Sequence, residues 1–210
     1  MGTLTLYQLP PSPNSMKARL ALALKKIPYT SVVIDPMDRA TVVEVSGQPL
    51  TPVLVHGDRV VYDSYAIVRY LDANWKGEPR LFAADPARQR AIEAWELVTR
   101  TDLGRMVGPL VQQLFSGQDD PAATAEANRI AADVAGRVQE ALGAHDFLFG
   151  AAPCAADLTV APFLYYATLS PETADAKNPL AGFFARKLAL PAAGFERARA
   201  WVARVMALES

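Results

Sequence analysis

The first third of the chain alternates short strand-like runs with amphipathic helical runs. Residues 3–7 alternate polar and apolar side chains, which is the period of a half-buried strand, and a proline-rich segment at residues 10–13 ends that run. Residues 15–26 place apolar side chains at helical spacing, and Pro28 ends this helix. By the same criteria the sequence predicts strands over 29–34, 53–56 and 60–62, a helix over 64–75, and at most one short helix over 38–45.

From Lys76 onward the pattern is helical, and no convincing strand follows. Helical periodicity extends over residues 86–115, 121–142, 155–167 and 192–208, with Gly117, Gly143, Gly150 and the segment 171–178 as separators. The sequence therefore predicts two domains with different architectures. An α/β domain (βαβ then ββα) covers residues 1–77, an all-helical bundle covers residues 86–210, and residues 78–85 link them.

The composition supports a folded core and limits the possible functions. Of 210 residues, 51% are hydrophobic and 20% are charged, which excludes a disordered tail protein. With a net charge of -1 the chain has no overall positive potential that would attract nucleic acid. No apolar run is long enough to predict a membrane span. The single cysteine and two histidines are too few for a disulfide framework or a zinc site. We therefore expect a cytoplasmic protein without signal peptide, metal, nucleic-acid partner or membrane partner.

The first candidate for chemistry is the segment Ser12-Pro13-Asn14-Ser15, which lies between the first predicted strand and the first predicted helix. Serine and asparagine often cap helices, because their side-chain oxygens accept hydrogen bonds from the free amides of the first turn. The same position also suits anion binding, since the positive end of the helix and a serine hydroxyl can stabilise a negative charge together. Taken alone, the residues leave both interpretations open.

Two further segments have the same double interpretation. Pro52 begins a predicted strand, a position where its missing amide donor lies outside the sheet ladder. Asp63-Ser64 begins a helix directly after a strand, which favours a helix cap. Alternatively, this pair can hold a zwitterion: the aspartate carboxylate binds the ammonium group, while the serine hydroxyl and the helix amides bind the carboxylate.

The order and spacing of these segments resemble the glutathione S-transferase family over nearly the whole chain, in particular its bacterial-type members with a serine in the first loop. The hydroxyl residue Ser12 lies seven positions before Arg19, as in the family's nucleophile-activating loop. The other matching segments are Thr51-Pro52-Val53-Leu54 (the cis-proline turn), Asp63-Ser64 (the γ-glutamyl-binding pair), and Gly150 followed by Cys154-Ala-Ala-Asp157 (the capping motif of the helical domain). Cys154 stands where the family usually has serine or threonine.

The resemblance implies a thioredoxin-like N-terminal domain followed by an all-α C-terminal domain, in a cytoplasmic homodimer whose role is detoxification or one step of a catabolic pathway. It also implies glutathione as cosubstrate and a small hydrophobic electrophile as second substrate. A free thiol has a pKa near 8.5, so a hydroxyl that donates to the sulfur would favour the reactive thiolate. Ser12 is the implied donor, and Asn14 and Ser15 are its alternatives, because subclasses of the family differ in this position.

The resemblance also implies how glutathione would be held. Thr51, which precedes the cis-proline Pro52, would pair through its main chain with the cysteinyl backbone of glutathione. Asp63 and Ser64 would bind the γ-glutamyl group, and Gln48 is a weaker candidate for the glycyl carboxylate. The sequence departs from many family members at Pro49-Leu50-Thr51, where Gln or Lys followed by Val is usual, so the main-chain clamp would be altered.

Two alternative functions share this fold, because a fold does not fix a function. One is a non-catalytic glutathione S-transferase-like protein used for binding or assembly. The other is a glutathione-dependent reductase or isomerase, but reductases of this kind carry a cysteine in the loop, which here offers only Ser12 and Ser15. The presence of Ser12, Pro52, Asp63 and Ser64 together favours a transferase, since a scaffold has no physical need of all four.

Overall fold

A computed structural model describes residues 3–77 and 79–209, which form two compact units. The first unit runs to Ala83 and also takes in the C-terminal residues from Leu208, whereas the second covers Ala84–Ala207. The boundary between them lies inside the linker predicted at residues 78–85, of which Glu78 lies outside the described residues.

The C-terminal end of the chain joins the first unit through an ion pair. Both carboxylate oxygens of Glu209 accept hydrogen bonds from the Arg19 guanidinium, and the bond from Nη2 measures 3.3 Å. The sequence assigns these last residues to the helical domain, because periodicity shows only that the C-terminal region is helical. A contact between residues so far apart in the chain leaves no periodic signal.

The first unit contains a four-stranded mixed sheet and three helices. Its elements are β1 Leu4–Gln8, α1 Pro13–Leu24, β2 Thr30–Val33, α2 Ala40–Ser46, β3 Val53–His56, β4 Arg59–Tyr62 and α3 Ser64–Asn74. The strand order is β2-β1-β3-β4, with β1 parallel to β2 and antiparallel to β3, and β3 antiparallel to β4. The predicted order βαβ then ββα is confirmed, and the weakly indicated α2 is a regular helix.

Apolar side chains from the sheet and the helices form the core of this unit. Leu6 of β1 is fully buried, and so are Leu20 of α1 and Ile67 of α3, two helices that pack against each other. Val42 of α2 forms a second cluster with Val53 of β3 and Ile34. Helices α1 and α3 are therefore held in place by apolar side chains that pack in this core.

The second unit is entirely helical in its regular structure, as predicted. Its helices are α4 Pro86–Val98, α5 Gly104–Ser116, α6 Pro121–Leu142, α7 Ala155–Thr168, α8 Pro171–Lys177, α9 Pro179–Lys187 and α10 Glu196–Met206. Helix α7 is buried along nearly its whole length and packs against α10. No helix within residues 3–77 and 79–209 is long and apolar enough to cross a membrane.

The helix predicted over residues 86–115 is two helices joined by a π-helical turn at Thr99–Leu103. Within this turn the hydroxyl of Thr99 donates to the carbonyl of Trp95 at 3.0 Å. A π-helical turn keeps the general course of the helix, so the apolar pattern continues through it. Hydrophobic periodicity alone therefore predicts one helix here instead of two.

The segment 171–178, predicted as a separator, is helical, and a further helix follows it. Pro171 and Pro179 occupy the first turn of α8 and α9, where a proline costs no hydrogen bond. Ser170 accepts a hydrogen bond from the Thr173 amide at 3.3 Å, and Asn178 accepts one from the Leu180 amide at 2.8 Å. These Ser-Pro and Asn-Pro pairs begin helices, so interpreting the prolines only as breakers was wrong.

The N-terminus of α7 has the capping motif that the resemblance implied. Cys154 and Asp157 form a capping box, and the Asp157 carboxylate accepts a hydrogen bond from the Cys154 amide at 2.9 Å. The same carboxylate accepts hydrogen bonds from the Leu148 amide at 2.9 Å and from Nε1 of Trp201 at 2.8 Å. Burial raises the pKa of Asp157, and these donors oppose that rise. Replacing serine by cysteine has therefore left the motif intact.

Candidate functional site

Three sequence-predicted segments meet at one edge of the sheet. The strand register places Val53, the first residue of β3, opposite Tyr7 in β1 and opposite Tyr62 at the end of β4. The loop that follows β1, the turn that precedes β3 and the residues that follow β4 therefore leave the sheet side by side. These segments contain Ser12–Ser15, Thr51-Pro52 and Asp63-Ser64 respectively.

The two serines of the first loop are in different environments. Ser12 is the N-cap residue of α1; it is partly exposed, and its hydroxyl makes no capping hydrogen bond among the described residues. Ser15 is fully buried, and its Oγ accepts a hydrogen bond from the Leu9 amide at 3.3 Å. Ser15 thus holds the loop against the helix, whereas Ser12 places a hydroxyl at the positive end of α1.

Asp63 and Ser64 begin α3 as a capped helix N-terminus. Oδ1 of Asp63 accepts hydrogen bonds from the Tyr65 amide at 2.7 Å and from the Ala66 amide at 3.3 Å. Asp63 is exposed, whereas Ser64 has only 5% of its surface exposed. A carboxylate accepts several hydrogen bonds at once, so capping α3 leaves Asp63 able to bind a cation from solvent.

The first loop and the start of α3 are joined directly. Oγ of Ser64 donates a hydrogen bond to Oδ1 of Asn14 at 3.1 Å. Nζ of Lys17 donates to the same Ser64 oxygen at 3.1 Å and lies 3.5 Å from Oδ1 of Asn14. The ammonium also lies 3.3 Å from the centre of the Tyr65 ring, and Lys17 is fully buried.

The sequence analysis missed Lys17. A lysine in an amphipathic helix is usually exposed, and full burial of this side chain is rare. One signal was available: Lys17 lies three positions after Asn14, so both side chains share one face of α1. A candidate residue on that face makes its neighbour one turn later a candidate as well.

The turn before β3 brings Thr51 and Pro52 to the same edge of the sheet. The peptide bond between Thr51 and Pro52 is cis, as the resemblance implied, and Pro52 is buried. The side chain of Gln48 folds back onto its own loop: its amide nitrogen donates to Ser46, and its oxygen accepts from the Leu50 amide at 2.7 Å. Both ends of the Gln48 side chain are thus engaged by its own loop.

Arg39, which directly precedes α2, was also missed. Its guanidinium nitrogen Nη1 is buried and has no hydrogen-bond partner among the described residues. A buried donor without a partner costs free energy, so such groups in folded proteins call for an explanation. Arg39 therefore joins the candidates for binding an anionic group, although the sequence pattern alone marks only the end of a loop.

The single cysteine lies in the second unit, at the start of α7. Cys154 has 3% of its surface exposed, and burial, together with the nearby Asp157 carboxylate, raises the pKa of its thiol well above the usual range. Such a thiol stays protonated and is a poor nucleophile. Among the described residues, no group of three or more His, Cys, Asp or Glu side chains is arranged to hold a metal ion.

Comparisons with known proteins point to one family. The family model "Glutathione S-transferase, N-terminal domain" matches residues 6–79, which include the three segments at the sheet edge. Glutathione S-transferase U9 of Arabidopsis thaliana is 33% identical over 87 residues, which are 40% of this chain and 36% of that protein. The chain thus spans less than half the length of the curated relatives it matches.

The fold resembles that of solved glutathione S-transferases along nearly the whole chain. A glutathione S-transferase from Rhodospirillum rubrum has a TM-score of 0.78 at 21% identity, covering 97% of this chain and 87% of that one. A maleyl pyruvate isomerase, a bacterial glutathione S-transferase of the zeta class, has a TM-score of 0.71 at 22% identity, covering 95% and 91%. The predicted fold class, a thioredoxin-like domain followed by an all-helical part, is confirmed.

Proposed function

We propose that this chain, a member of the glutathione S-transferase family, binds glutathione and activates its thiol for attack on a small hydrophobic electrophile. The observation that carries the proposal is the 3.1 Å hydrogen bond from Ser64 to Asn14. It joins the segment that resembles the nucleophile-activating loop to the segment that resembles the γ-glutamyl-binding pair. Two segments fifty residues apart in the chain thus form one polar site.

In this proposal Asp63 and Ser64 bind the γ-glutamyl group of glutathione. The exposed Asp63 carboxylate takes the ammonium group, and a charge-assisted hydrogen bond of this kind is stronger than a neutral one. The Ser64 hydroxyl and the N-terminus of α3 take the α-carboxylate. The γ-glutamyl group carries one positive and one negative charge. The neighbouring residues Asp63 and Ser64 offer an anion for the first and a hydrogen-bond donor for the second.

Thr51 would hold the middle of glutathione through its main chain. It precedes β3, and the Val53–Tyr7 pairing places it beside the segment that follows β1. An extended peptide laid along this turn can pair its amide and carbonyl with those of Thr51, as one strand pairs with another. This arrangement directs the cysteinyl side chain toward the loop of α1.

The catalytic step is deprotonation of the thiol and stabilisation of the thiolate. Ser12 has a partly exposed hydroxyl at the N-terminus of α1, so it can donate a hydrogen bond to the sulfur. The partial positive charge of the helix N-terminus favours the anion further. Ser15 is the weaker candidate, because its oxygen already accepts the Leu9 amide, and Asn14 is engaged by Ser64.

Two measurements on the full chain test this function. Calorimetry should show glutathione binding, and 1-chloro-2,4-dinitrobenzene should be conjugated faster with the protein than without it. Binding without acceleration of any electrophile would favour the non-catalytic alternative. Thiol–disulfide exchange would favour the reductase alternative, although Cys154 is buried outside the loop. Absence of glutathione binding would contradict the proposal as a whole.

The same proposal includes a cytoplasmic homodimer with a detoxification role. Exposed apolar side chains of the first unit support an interface, among them Leu50, which is 73% exposed, and Tyr62, which is 51% exposed. Such side chains commonly mark contact surfaces when they lie together. Light scattering at micromolar concentration should give twice the mass of one chain, whereas the mass of one chain would contradict the homodimer.

A further inference from the structure

Arg19 of α1 makes a set of hydrogen bonds that reaches the loop before the helix. Its Nη1 donates to the Pro10 carbonyl at 3.1 Å and to the side-chain oxygen of Gln8, a buried residue of β1. Its Nε and Nη2 donate to the two carboxylate oxygens of Glu209. The Arg19 side chain is only 11% exposed. The guanidinium therefore joins the sheet, the loop and the C-terminal residues of the first unit.

The hydrogen bond to Pro10 lies in the part of the loop that leads to Ser12. Pro10 and Pro11 have no amide hydrogen, so this stretch has no backbone donor of its own. The Ser12 amide closes the turn by donating to the Leu9 carbonyl at 2.9 Å. Arg19 binds the next carbonyl of the same turn, that of Pro10. The turn that ends at Ser12 is thus held from the side by an arginine of the helix that it precedes.

Glu209 fixes the orientation of the guanidinium. A carboxylate that accepts from Nε and Nη2 together covers one edge of this planar group, and a two-point pair of this kind has a defined geometry. Nη1 lies outside that edge, and it is the nitrogen that donates to Gln8 and Pro10. A lysine at position 19 would carry the same charge but could not make both sets of contacts in this geometry.

We propose that Arg19 is a positioning residue: together with Glu209 it fixes the loop geometry that directs the Ser12 hydroxyl toward the sulfur of glutathione. The inference rests on the proposed function, in which Ser12 donates a hydrogen bond to the thiolate. Arg19 and Glu209 act through the loop and not through contact with the ligand. The geometry matters because a hydrogen bond weakens steeply when its length or its angle departs from the preferred range.

The test measures the pKa of the thiol of bound glutathione, by thiolate absorbance, on the full chain and its variants. In Arg19→Met the Pro10 carbonyl loses its donor. We expect the pKa of the bound thiol to rise by about half a pH unit, which lowers the thiolate fraction below that pKa about threefold. The dissociation constant of glutathione should change less than about twofold, because Asp63 and Ser64 are unaltered. Binding with an unchanged thiol pKa would overturn the role of Arg19.

Glu209→Gln separates positioning from a direct effect of charge. Removal of a negative charge would by itself favour the thiolate and lower the pKa of the thiol. Loss of the two-point pair should instead raise this pKa, because glutamine offers the guanidinium only one acceptor oxygen. A rise supports the proposal even if Arg19→Met does not fold. A fall, or an unchanged pKa, would overturn the role of Glu209.

Two further variants are matched controls. Arg19→Lys keeps the charge without the two-point geometry, so it should raise the pKa of the thiol as Arg19→Met does; a wild-type pKa would mean that charge alone acts and would overturn positioning. Lys25→Met removes a buried ion pair with Asp72 at the C-terminal end of the same helix. It should lower the thermal midpoint and leave the thiol pKa unchanged. An equal rise in Lys25→Met would overturn the specific role of Arg19.

The wild-type protein distinguishes failure of this inference from failure of the proposed function. A bound thiol with the ordinary pKa in the wild type would contradict thiol activation itself. A lowered pKa in the wild type that the Arg19 and Glu209 variants leave unchanged would contradict only the positioning role and leave the proposed function standing.

Discussion

At the scale of single residues, the proposed activation of the thiol depends on the hydroxyl of Ser12. It is partly exposed at the N-terminus of α1 and is not used for capping. Ser12→Ala should raise the apparent pKa seen in the pH profile of kcat/KM and lower kcat. Loss of one donor to a developing anion typically costs about 10²–10³ in rate, and we expect less here because a thiolate is intrinsically a good nucleophile. Glutathione binding should change little.

Ser15→Ala is the matched control for Ser12, because Ser12 is the N-cap residue of α1 and Ser15 lies in its first turn. Ser15 is fully buried and accepts the Leu9 amide, so its loss should lower the free energy of unfolding by about 1–3 kcal/mol. The pH profile should stay at its wild-type position. If Ser15→Ala moved the profile while Ser12→Ala left it unchanged, the assignment within the loop would be reversed.

In the proposed function Asp63 contributes to glutathione binding rather than to the chemical step. Its carboxylate would hold the γ-glutamyl ammonium equally in the ground state and in the transition state. Asp63→Ala should therefore raise KM for glutathione more than it lowers kcat, with a loss of about 1.5–3 kcal/mol for one charge-assisted hydrogen bond. An unchanged dissociation constant in calorimetry would remove Asp63 from the site. Because Asp63 also caps α3, the thermal midpoint should be recorded beside the kinetics.

At the scale of helices and strands, the N-terminus of α7 allows a stabilising substitution. Cysteine sulfur is a weak acceptor, whereas serine is among the best N-cap residues. In the capping box Cys154 faces the Asp157 amide, so Cys154→Ser should raise the free energy of unfolding by about 0.5–1 kcal/mol in a urea titration. A lower unfolding midpoint would mean that burying a hydroxyl at this position costs more free energy than its capping hydrogen bond contributes. Activity well below the melting temperature should remain at the wild-type level.

The end of α3 has a pH-dependent contribution to stability at Asp72. Burial by itself raises the pKa of Asp72, but hydrogen bonds from the Leu81 amide, Lys25 and Arg80 together lower it. A lowered folded-state pKa stabilises the fold above the unfolded-state value of about 3.9, and this stabilisation is lost as pH falls through the folded-state value. Asp72→Asn should therefore cost about 3–5 kcal/mol at pH 7, because it leaves Lys25 buried without its anion.

The measurement is urea unfolding of the wild type and Asp72→Asn at several pH values. The difference between the two proteins should be constant above pH 5 and should shrink below about pH 3.9, where Asp72 of the unfolded wild type binds a proton that the folded protein, with its lowered pKa, does not yet bind. A difference that persists unchanged at pH 2.5 would show that Asp72 acts through the shape of its side chain and not through its charge.

Most elements could be predicted because their signals are local. The predicted bounds of residues 121–142 and of residues 53–56 agree with the structure. A proline or a glycine marks the ends of the first segment, and a regular apolar pattern marks the second. Helices α8 and α9 were missed because a proline can begin a helix as readily as it ends one. The π-helical turn at Thr99–Leu103 does not change the apolar periodicity, so the sequence pattern could not predict it.

The candidate site could be predicted only where a residue begins or ends an element. Ser12, Pro52 and Asp63 stand at such positions, and the strand register brings their segments to one edge. Lys17 lies in the interior of a helix, where neither spacing nor composition distinguishes a buried lysine from an exposed one. Its hydrogen bond to Ser64 joins residues far apart in the sequence, and only the folded chain brings them together.

At the scale of the whole molecule, the proposed chemistry of glutathione lies within the first unit. Its sheet edge carries the Ser12–Ser15 segment, the cis-proline turn and the Asp63-Ser64 pair, and the family model covers the same region. The net charge of the chain is -1, so attraction of an anionic ligand has to come from local groups and not from an overall field. The N-termini of α1 and α3 are such groups.

The pKa of the glutathione thiol in its complex with the wild-type protein tests this account most directly. The measurement is a pH titration of thiolate absorbance near 240 nm at saturating glutathione, corrected for the protein alone. Because a hydroxyl donor and a helix N-terminus favour the anion, the bound thiol should titrate at least about one pH unit below the ordinary thiol value of about 8.5. A bound thiol that titrates at or above that value, with glutathione binding confirmed by calorimetry, would contradict thiol activation by this protein.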